Sequence, residues 1–337
     1  MRVKKLLEYI LPALISILFL SPVARSFFSD KNTGTSGGQF LAMPKGVRAS
    51  GMGEAQGAVS GDINAIYFNP AALNSMESPA ISAMHSLWLN QMYYEYVTGA
   101  LPLDIGVFAF SLNYKGMPDI QKTDKTGITL DEKYGAYDIL TYLSYAGNFR
   151  EHNYGANLFM IRESIDDESA TAFGIDLGYI TELNSQASVG LSLQNIGTNL
   201  KFRDKSYPLP FNLKAGVSYM PAEELLIAAD VNLGRDNIPA LNAGSEYTYE
   251  LDDISLKART GYRTQPAFTY GALYGFSFGG GIEYSSFVLD YAWSPYGKLG
   301  SAHRFALSYT FPTARVVTPP EEEEPFIFPI EQRPMYD

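Results

Sequence analysis

The chain has no cysteine, and only three histidines and two tryptophans among 337 residues. Without thiols there is no disulfide framework, no thiolate metal site, no cysteine nucleophile and no N-terminal cysteine to carry a lipid. Positive charge is scarce too: 25 Lys and Arg stand against 36 Asp and Glu, a formal net charge of −11. Nucleic-acid binders concentrate the opposite sign, so nucleic acid is set aside as a partner. Beyond the first segment no run of 18 apolar residues occurs, and no further helix is long enough to span a bilayer. Any later membrane crossing must be made by alternating strands.

What is plentiful is Tyr (24), Phe (20) and Gly (30), a mixture suited to short strands joined by turns. The N-terminus carries Arg2, Lys4 and Lys5, then the apolar stretch Tyr9 to Leu20, then small Ala24 and Ser26. This is the pattern of a signal peptide over residues 1–26, cleaved after Ser26, or alternatively after Ala24. Twelve apolar residues with Pro12 among them are short for a membrane anchor. Removal of this segment leaves 21 basic against 35 acidic residues, a net charge of −14.

From Ala80 to Phe311 one theme repeats, eight to thirteen alternating residues and then a turn. In the last repeat Phe305, Leu307, Tyr309 and Phe311 share one face, while Ala306, Ser308 and Thr310 share the other. The first set is expected to face lipid. The opposite faces hold Gly, Ala, Ser and charges of both signs, and the apolar faces repeatedly end in Tyr, Phe or Trp. An apolar band with aromatic girdles around a polar interior is what a transmembrane barrel requires. The pattern predicts strands at 80–88, 91–101, 104–115, 137–149, 153–163, 170–181, 187–197, 211–220, 225–233, 242–250, 254–263, 276–284, 286–294 and 302–311.

From the third strand onward long and short connections alternate. The long ones are 116–136, 164–169, 198–210, 234–241, 264–275 and 295–301. Outer-membrane barrels sort their loops this way, with short periplasmic turns and longer external loops. An even strand number brings the chain back to its starting side, and closure removes the unpaired edges that lipid does not tolerate. The expected fold is therefore all-β: a closed antiparallel transmembrane barrel of about 14 strands over residues 80–311, in the outer membrane of a diderm (Gram-negative-type) bacterium. Residues 27–79, Gly- and Ala-rich and irregular, are expected to form a hatch in the lumen. Residues 312–337, with Pro319-Pro320 and the acidic run Glu321 to Glu324, read as a disordered, solvated periplasmic tail.

Residues 40–55 read Phe-Leu-Ala-Met-Pro-Lys-Gly-Val-Arg-Ala-Ser-Gly-Met-Gly-Glu-Ala, and residues 61–73 read Gly-Asp-Ile-Asn-Ala-Ile-Tyr-Phe-Asn-Pro-Ala-Ala-Leu. This resembles the N-terminal signature of the PorV/PorQ family, a branch of the FadL-like outer-membrane barrels. Segments 194–202, 209–217 and 290–300 resemble further family segments in the expected order. The resemblance implies fourteen strands and a hatch built around Asn69, Pro70 and Ala71, with Gly51, Gly53 and Asp62 in the same segment. It also implies a non-enzymatic role in protein secretion or surface export of the type IX kind, with secreted cargo or secretion machinery as partners. The alternative is a FadL-like channel for hydrophobic solutes, with a hydrophobic ligand as partner beside outer-membrane lipid.

Gly51-Met-Gly53-Glu-Ala-Gln-Gly57 superficially matches a dinucleotide loop. It lacks the strand before and the helix after, and it reads instead as backbone passing close to the barrel wall. His85, His152 and His303 show no ligand spacing; His303 with Ser301 or Ser308 is the sole hydrolase-like pairing. Asp166, Asp167 and Glu168 read as a solvated loop tip without calcium-loop spacing. No catalytic, cofactor or metal site is expected. Alternation sends Asp176, Asp230, Glu246, Glu283 and Asp290 inward together with Lys214, Lys257, Arg259 and Arg304. Mixed signs in a confined lumen predict mutual pairing or bonds to the hatch, hence a plugged barrel and not an open porin.

Overall fold

A computed structural model of the protein describes residues 30–312 apart from 89–90; the signal peptide and the acidic tail expected from the sequence lie outside the described residues. In chain order the strands are β1 (Ala80–Leu87), β2 (Tyr93–Leu103), β3 (Gly106–Gly116), β4 (Ile120–Thr123), β5 (Thr129–Tyr134), β6 (Ala136–Phe149), β7 (His152–Ile165), β8 (Glu168–Asn184) and β9 (Ala187–Gly197). There follow β10 (Leu200–Phe202), β11 (Lys205–Tyr207), β12 (Asn212–Ala222), β13 (Leu225–Gly234), β14 (Ala240–Leu251), β15 (Ile254–Arg263), β16 (Phe276–Tyr284), β17 (Phe287–Pro295) and β18 (Ser301–Thr310). Fourteen of these form one closed antiparallel barrel; β4–β5 and β10–β11 are separate hairpins in loops. The barrel closes along its full first strand, from Ala80 opposite Thr310 to Leu87 opposite His303.

Period-two chemistry explains the closure. Phe305 and Leu307 are 46% and 53% exposed, whereas their neighbours Arg304 and Ala306 are 0% and 4% exposed. Outward Leu112, Leu143, Leu158 and Phe173 repeat this exposure on other strands. An apolar surface that encircles the molecule, with strands paired all round and no free edge, is the surface of a membrane-spanning barrel. No helix among the described residues is long and apolar enough to cross a membrane, so the strands make the crossing.

One end of the barrel has only two-residue turns, at 104–105, 150–151, 185–186, 223–224, 252–253 and 285–286. Arg150, Asp252 and Ser285 take left-handed backbone there, as tight hairpin turns require. The other end carries the longer loops, with one correction to the sequence reading. The expected loop at 164–169 is a two-residue turn, Asp166-Asp167, because β7 and β8 stay paired out to Ile165 opposite Glu168. Asp166 adopts φ +53, a conformation that Asp tolerates better than most residues. Two predicted loops also contain short hairpins, and the loop at 264–275 contains a helix, α2 (Thr264–Tyr270).

Residues 30–79 fill the lumen with short turns and one five-residue helix, α1 (Val47–Gly51). The segment starts at the long-loop end, where Gly37 N–H donates to the Pro208 carbonyl, and runs into β1 at the opposite end. The barrel's interior core is thus shared between hatch and wall. Phe40, Ile66 and Leu73 pack with inward Tyr94, Leu140 and Ile180, all essentially buried.

Candidate functional site

The hatch is seated by glycine. Inward glycines occur on β7 (Gly155), β8 (Gly178), β9 (Gly190), β12 (Gly216), β14 (Gly244), β15 (Gly261) and β16 (Gly279). A methyl group on Gly190 would collide with the Gly57 carbonyl, and one on Gly261 with the Gly53 amide. The groove lets two backbones touch where any side chain would hold them apart. On β13 the corresponding place is filled by Asp230, opposite Gly216. Its carboxylate accepts the hatch amides of Gln56 and Gly57, each at 2.9 Å.

The Asn-Pro-Ala element sits at the centre of this seating. Asn69 caps the turn Pro70–Ser75 by accepting from the Ala71 amide at 3.2 Å. Its amide group donates to the Gly57 carbonyl at 2.7 Å and to the Tyr179 carbonyl of the wall at 3.1 Å. Pro70 places no N–H in the first turn, where none is needed. Asp62 caps the preceding turn through the Asn64 amide at 2.8 Å. Gly51 lies against Gly279, and Gly53 takes φ +62 beside the Tyr262 backbone. Wall side chains complete the seat by donating to hatch carbonyls: Asn157 to Ile66 at 2.8 Å and Ser192 to Phe68 at 2.9 Å.

The nine predicted inward charges form one network, two pairs and two residues held by uncharged partners. Glu246, Arg259 and Asp290 form one buried network that the hatch joins through Arg48. Arg48 meets Glu246 at 2.7 Å, Arg259 meets Glu246 at 2.5 Å and Asp290 at 2.5 Å. Lys214 stands 3.5 Å from Asp230, and Asp176 accepts from Asn157 and from the Asn195 amide. Lys257 and Glu283 pair with each other at 2.6 Å in a more exposed position. Arg304 has no acidic partner among the described residues: it lies over the Trp88 ring at 4.8 Å and reaches Ser294 at 3.3 Å. Its Nε and Nη2 are buried and make no hydrogen bond.

Three hatch charges escaped the sequence reading: Arg48, Lys45 and Glu54. The last pairs with Arg263, which continues the inward parity of Arg259 by four residues and was detectable on that ground. Lys45 donates to the carbonyls of Phe40, Leu41 and Met43 at 2.9, 2.8 and 3.1 Å. Burial pushes its ammonium down to about 7. Burial likewise raises the Tyr67 phenol to about 12; its hydroxyl bonds Thr98 of the wall at 2.8 Å.

Between the hatch and the long loops lies a cavity of about 500 Å³. Leu41–Lys45 and Tyr67–Phe68 line it on the hatch side, Trp88, Arg263 and Tyr296 on the wall side, and Asp236 and Tyr270 near its mouth. Carboxamides and charged side chains line it beside Leu41, Met43 and Phe68. The Ser–His pairing does form, with Ser301 Oγ 3.2 Å from His303 Nε2. It belongs to the outward row of β18, and His303 also bonds Tyr291. His85 is outward as well, 3.1 Å from Glu95. His152 bonds Tyr179 and Thr181 near a short turn. Asp166 pairs with Lys122 and Glu168 with Arg203.

A fourteen-strand barrel with an N-terminal hatch is the FadL-type outer-membrane fold. Among solved structures, the chain is similar to the Pseudomonas putida toluene transporter TodX, with TM-score 0.58, 13% identity, and coverage of 79% of this chain and 97% of that one. The Ralstonia pickettii toluene transporter TbuX matches with TM-score 0.58 and 14% identity over 80% and 98%. A Pseudomonas aeruginosa FadL homologue matches with TM-score 0.51 and 12% identity over 80% and 98%. No protein-family model matches the chain, and no curated protein matches it.

Proposed function

We propose that the protein is a non-enzymatic, hatch-gated outer-membrane channel that takes up a small solute from the cell exterior. The observation that carries this reading is the cavity of about 500 Å³ among the long loops, floored by hatch residues Leu41–Lys45. Under the usual placement of short turns in the periplasm, its mouth faces outward. The floor is held by hydrogen bonds, ion pairs and packing, and the barrel wall is closed by its own strand pairing. Uptake of hydrophobic solutes is the reading that the fold of the two toluene transporters supports.

A cysteine-free chain offers a direct test, because two introduced thiols are the only ones a cross-linker can join. Hatch residue Asn74 and wall residue Asn153 meet at 2.8 Å. Joining Asn74→Cys to Asn153→Cys with a short cross-linker should abolish protein-dependent uptake into proteoliposomes of whichever of glucose and toluene the unlocked protein admits, and reversal should restore it. Equal flux with the hatch locked and free would refute gating by the hatch.

A second reading, association with protein secretion or surface export, draws on the motifs at 40–73. The loop hairpin β4–β5, with Ile128 64% exposed beside it, is the surface such a partner would meet. Copurification of a surface protein with the intact chain, lost on deleting that hairpin, is the outcome expected of this reading.

A further inference from the structure

The chemistry of the cavity names a class of ligand more closely than the fold does. Eight of its thirty lining side chains are carboxamides, among them Gln194, Asn195, Asn212, Asn232 and Asn242. Its charges balance and are already engaged. The three lining cations are Lys45, Lys214 and Arg263, and the three lining acids are Glu54, Asp176 and Asp236. Arg263 pairs with Glu54, Lys214 with Asp230, and Lys45 with three carbonyls. Asp176 is held by Asn157 and the Asn195 amide, and Asp236 by Gln39 at 2.9 Å.

What remains unengaged is specific. Asn232 Nδ2 and Arg263 Nε are buried donors with no partner, and Arg263 is only 7% exposed. Asn242, 8% exposed, lies beside both: it pairs with Arg263 across β15, and Ala240, two residues earlier, pairs with Asn232 across β13. The three side chains therefore present donors and an acceptor along adjacent strands of one wall. A toluene-like molecule would leave each of these groups desolvated and unpaired. A site built to hydrogen-bond oxygen discriminates strongly against a ligand that lacks it. A charged ligand would meet cations and acids in equal number, each already hydrogen-bonded.

We infer that this cavity binds an uncharged, hydroxyl-rich ligand of mono- or disaccharide size, with Asn232, Asn242 and Arg263 Nε as its hydrogen-bonding wall. Amide groups carry a donor and an acceptor in fixed geometry, which matches hydroxyls that donate and accept at once. The volume falls within the range of small-ligand pockets. Trp88 and Tyr296, with ring centroids 5.0 Å apart, border the same space. The inference rests on the channel reading and names its solute class from the lining of the cavity, in place of the hydrophobic solutes that the fold of the toluene transporters suggests.

The test uses Trp88 as reporter. The chain has two tryptophans, and Trp293→Phe on the outer face leaves Trp88 alone. Purified full-length protein is titrated with glucose, maltose, toluene and benzoate while Trp88 emission is followed. A saturable response to a neutral sugar is expected, weakened at least tenfold by Asn232→Leu and by Asn242→Leu. Two replacements guard against one of them misfolding, and closure of the barrel is checked by heat-modified gel migration. A saturable response to toluene or benzoate alone, no response at all, or a sugar response that both replacements leave unchanged would overturn the inference. Each of these leaves the channel reading intact, because that reading fails only if locking the hatch does not alter flux.

Discussion

The side-chain amide of Asn69 donates to the Gly57 carbonyl 2.7 Å away, tying two passes of the hatch together where both touch the wall. Asn69→Ala removes this tie, the bond to Tyr179 and the cap on Ala71 at once. Unpaired buried carbonyls and a lost cap together are worth about 2–4 kcal/mol. Hydrogen exchange over residues 57–75 should accelerate accordingly while the strand ladders stay protected. Asn69→Asp keeps the cap but loses both donors, and its exchange should be at least as fast. Unchanged exchange in both variants would mean that the motif does not seat the hatch.

The glycine groove makes a sharper demand. Gly261→Ala drives a methyl group into the Gly53 amide, where neither backbone can yield cheaply. Overpacking of this sort costs about 1–3 kcal/mol. Gly280→Ala, whose nearest neighbour would be 3.5 Å away, is the matched control on the next strand. Planar-bilayer recordings should show open-channel events in Gly261→Ala and the parental baseline in Gly280→Ala.

Lys45 gives the hatch a pH dependence of defined sign. Its ammonium is pushed down to about 7 by burial, with Glu54 and Asp176 opposing and Lys115 adding to the fall. A folded-state value below the unfolded one means that the unfolded chain binds more protons between about 7 and 10.5. Stability therefore rises as pH increases through that window, and the penalty is fully present below it. The urea midpoint should increase from pH 7 to pH 9.5, and Lys45→Met should flatten that slope.

The membrane assignment is tested on the last strand. Leu307 is 53% exposed on the outer face, between Ala83 and Leu289 on the adjacent strands. Leu307→Arg should lower stability by about 2–4 kcal/mol in lipid vesicles, falling toward zero for the same change near an interface. Ser308→Ala, on the opposite face, removes a single 2.8 Å bond to Ser82 and should cost about 1 kcal/mol.

Legibility from sequence followed the period of the structure. The row Phe305, Leu307, Tyr309 and Phe311 could be read because a strand repeats every two residues, and the strand count followed from the same rule. Asp166-Asp167 could not, since two acidic residues fit a long loop as well as a left-handed turn. The hatch has no period at all. Arg48 reaches Glu246 across 198 residues of sequence, and nothing local announces that partnership. Asn232 and Asn242 are ordinary inward polar residues until the barrel closes and puts them beside Arg263. Arg304 was predicted to face inward, but its lack of an acidic partner is a property of the folded neighbourhood.

Because the hatch begins among the long loops at Gly37 and leaves at the opposite mouth through Ala80, it is a thread already drawn through the cylinder. Such a thread is installed either while the wall is still split or by feeding its free end along the full bore. The seam between β1 and β18 is the junction that joins the two chain ends of the wall. Its zipping thus divides the two routes in time: before it the leading segment can be laid sideways into its glycine track, and after it the segment can only be threaded.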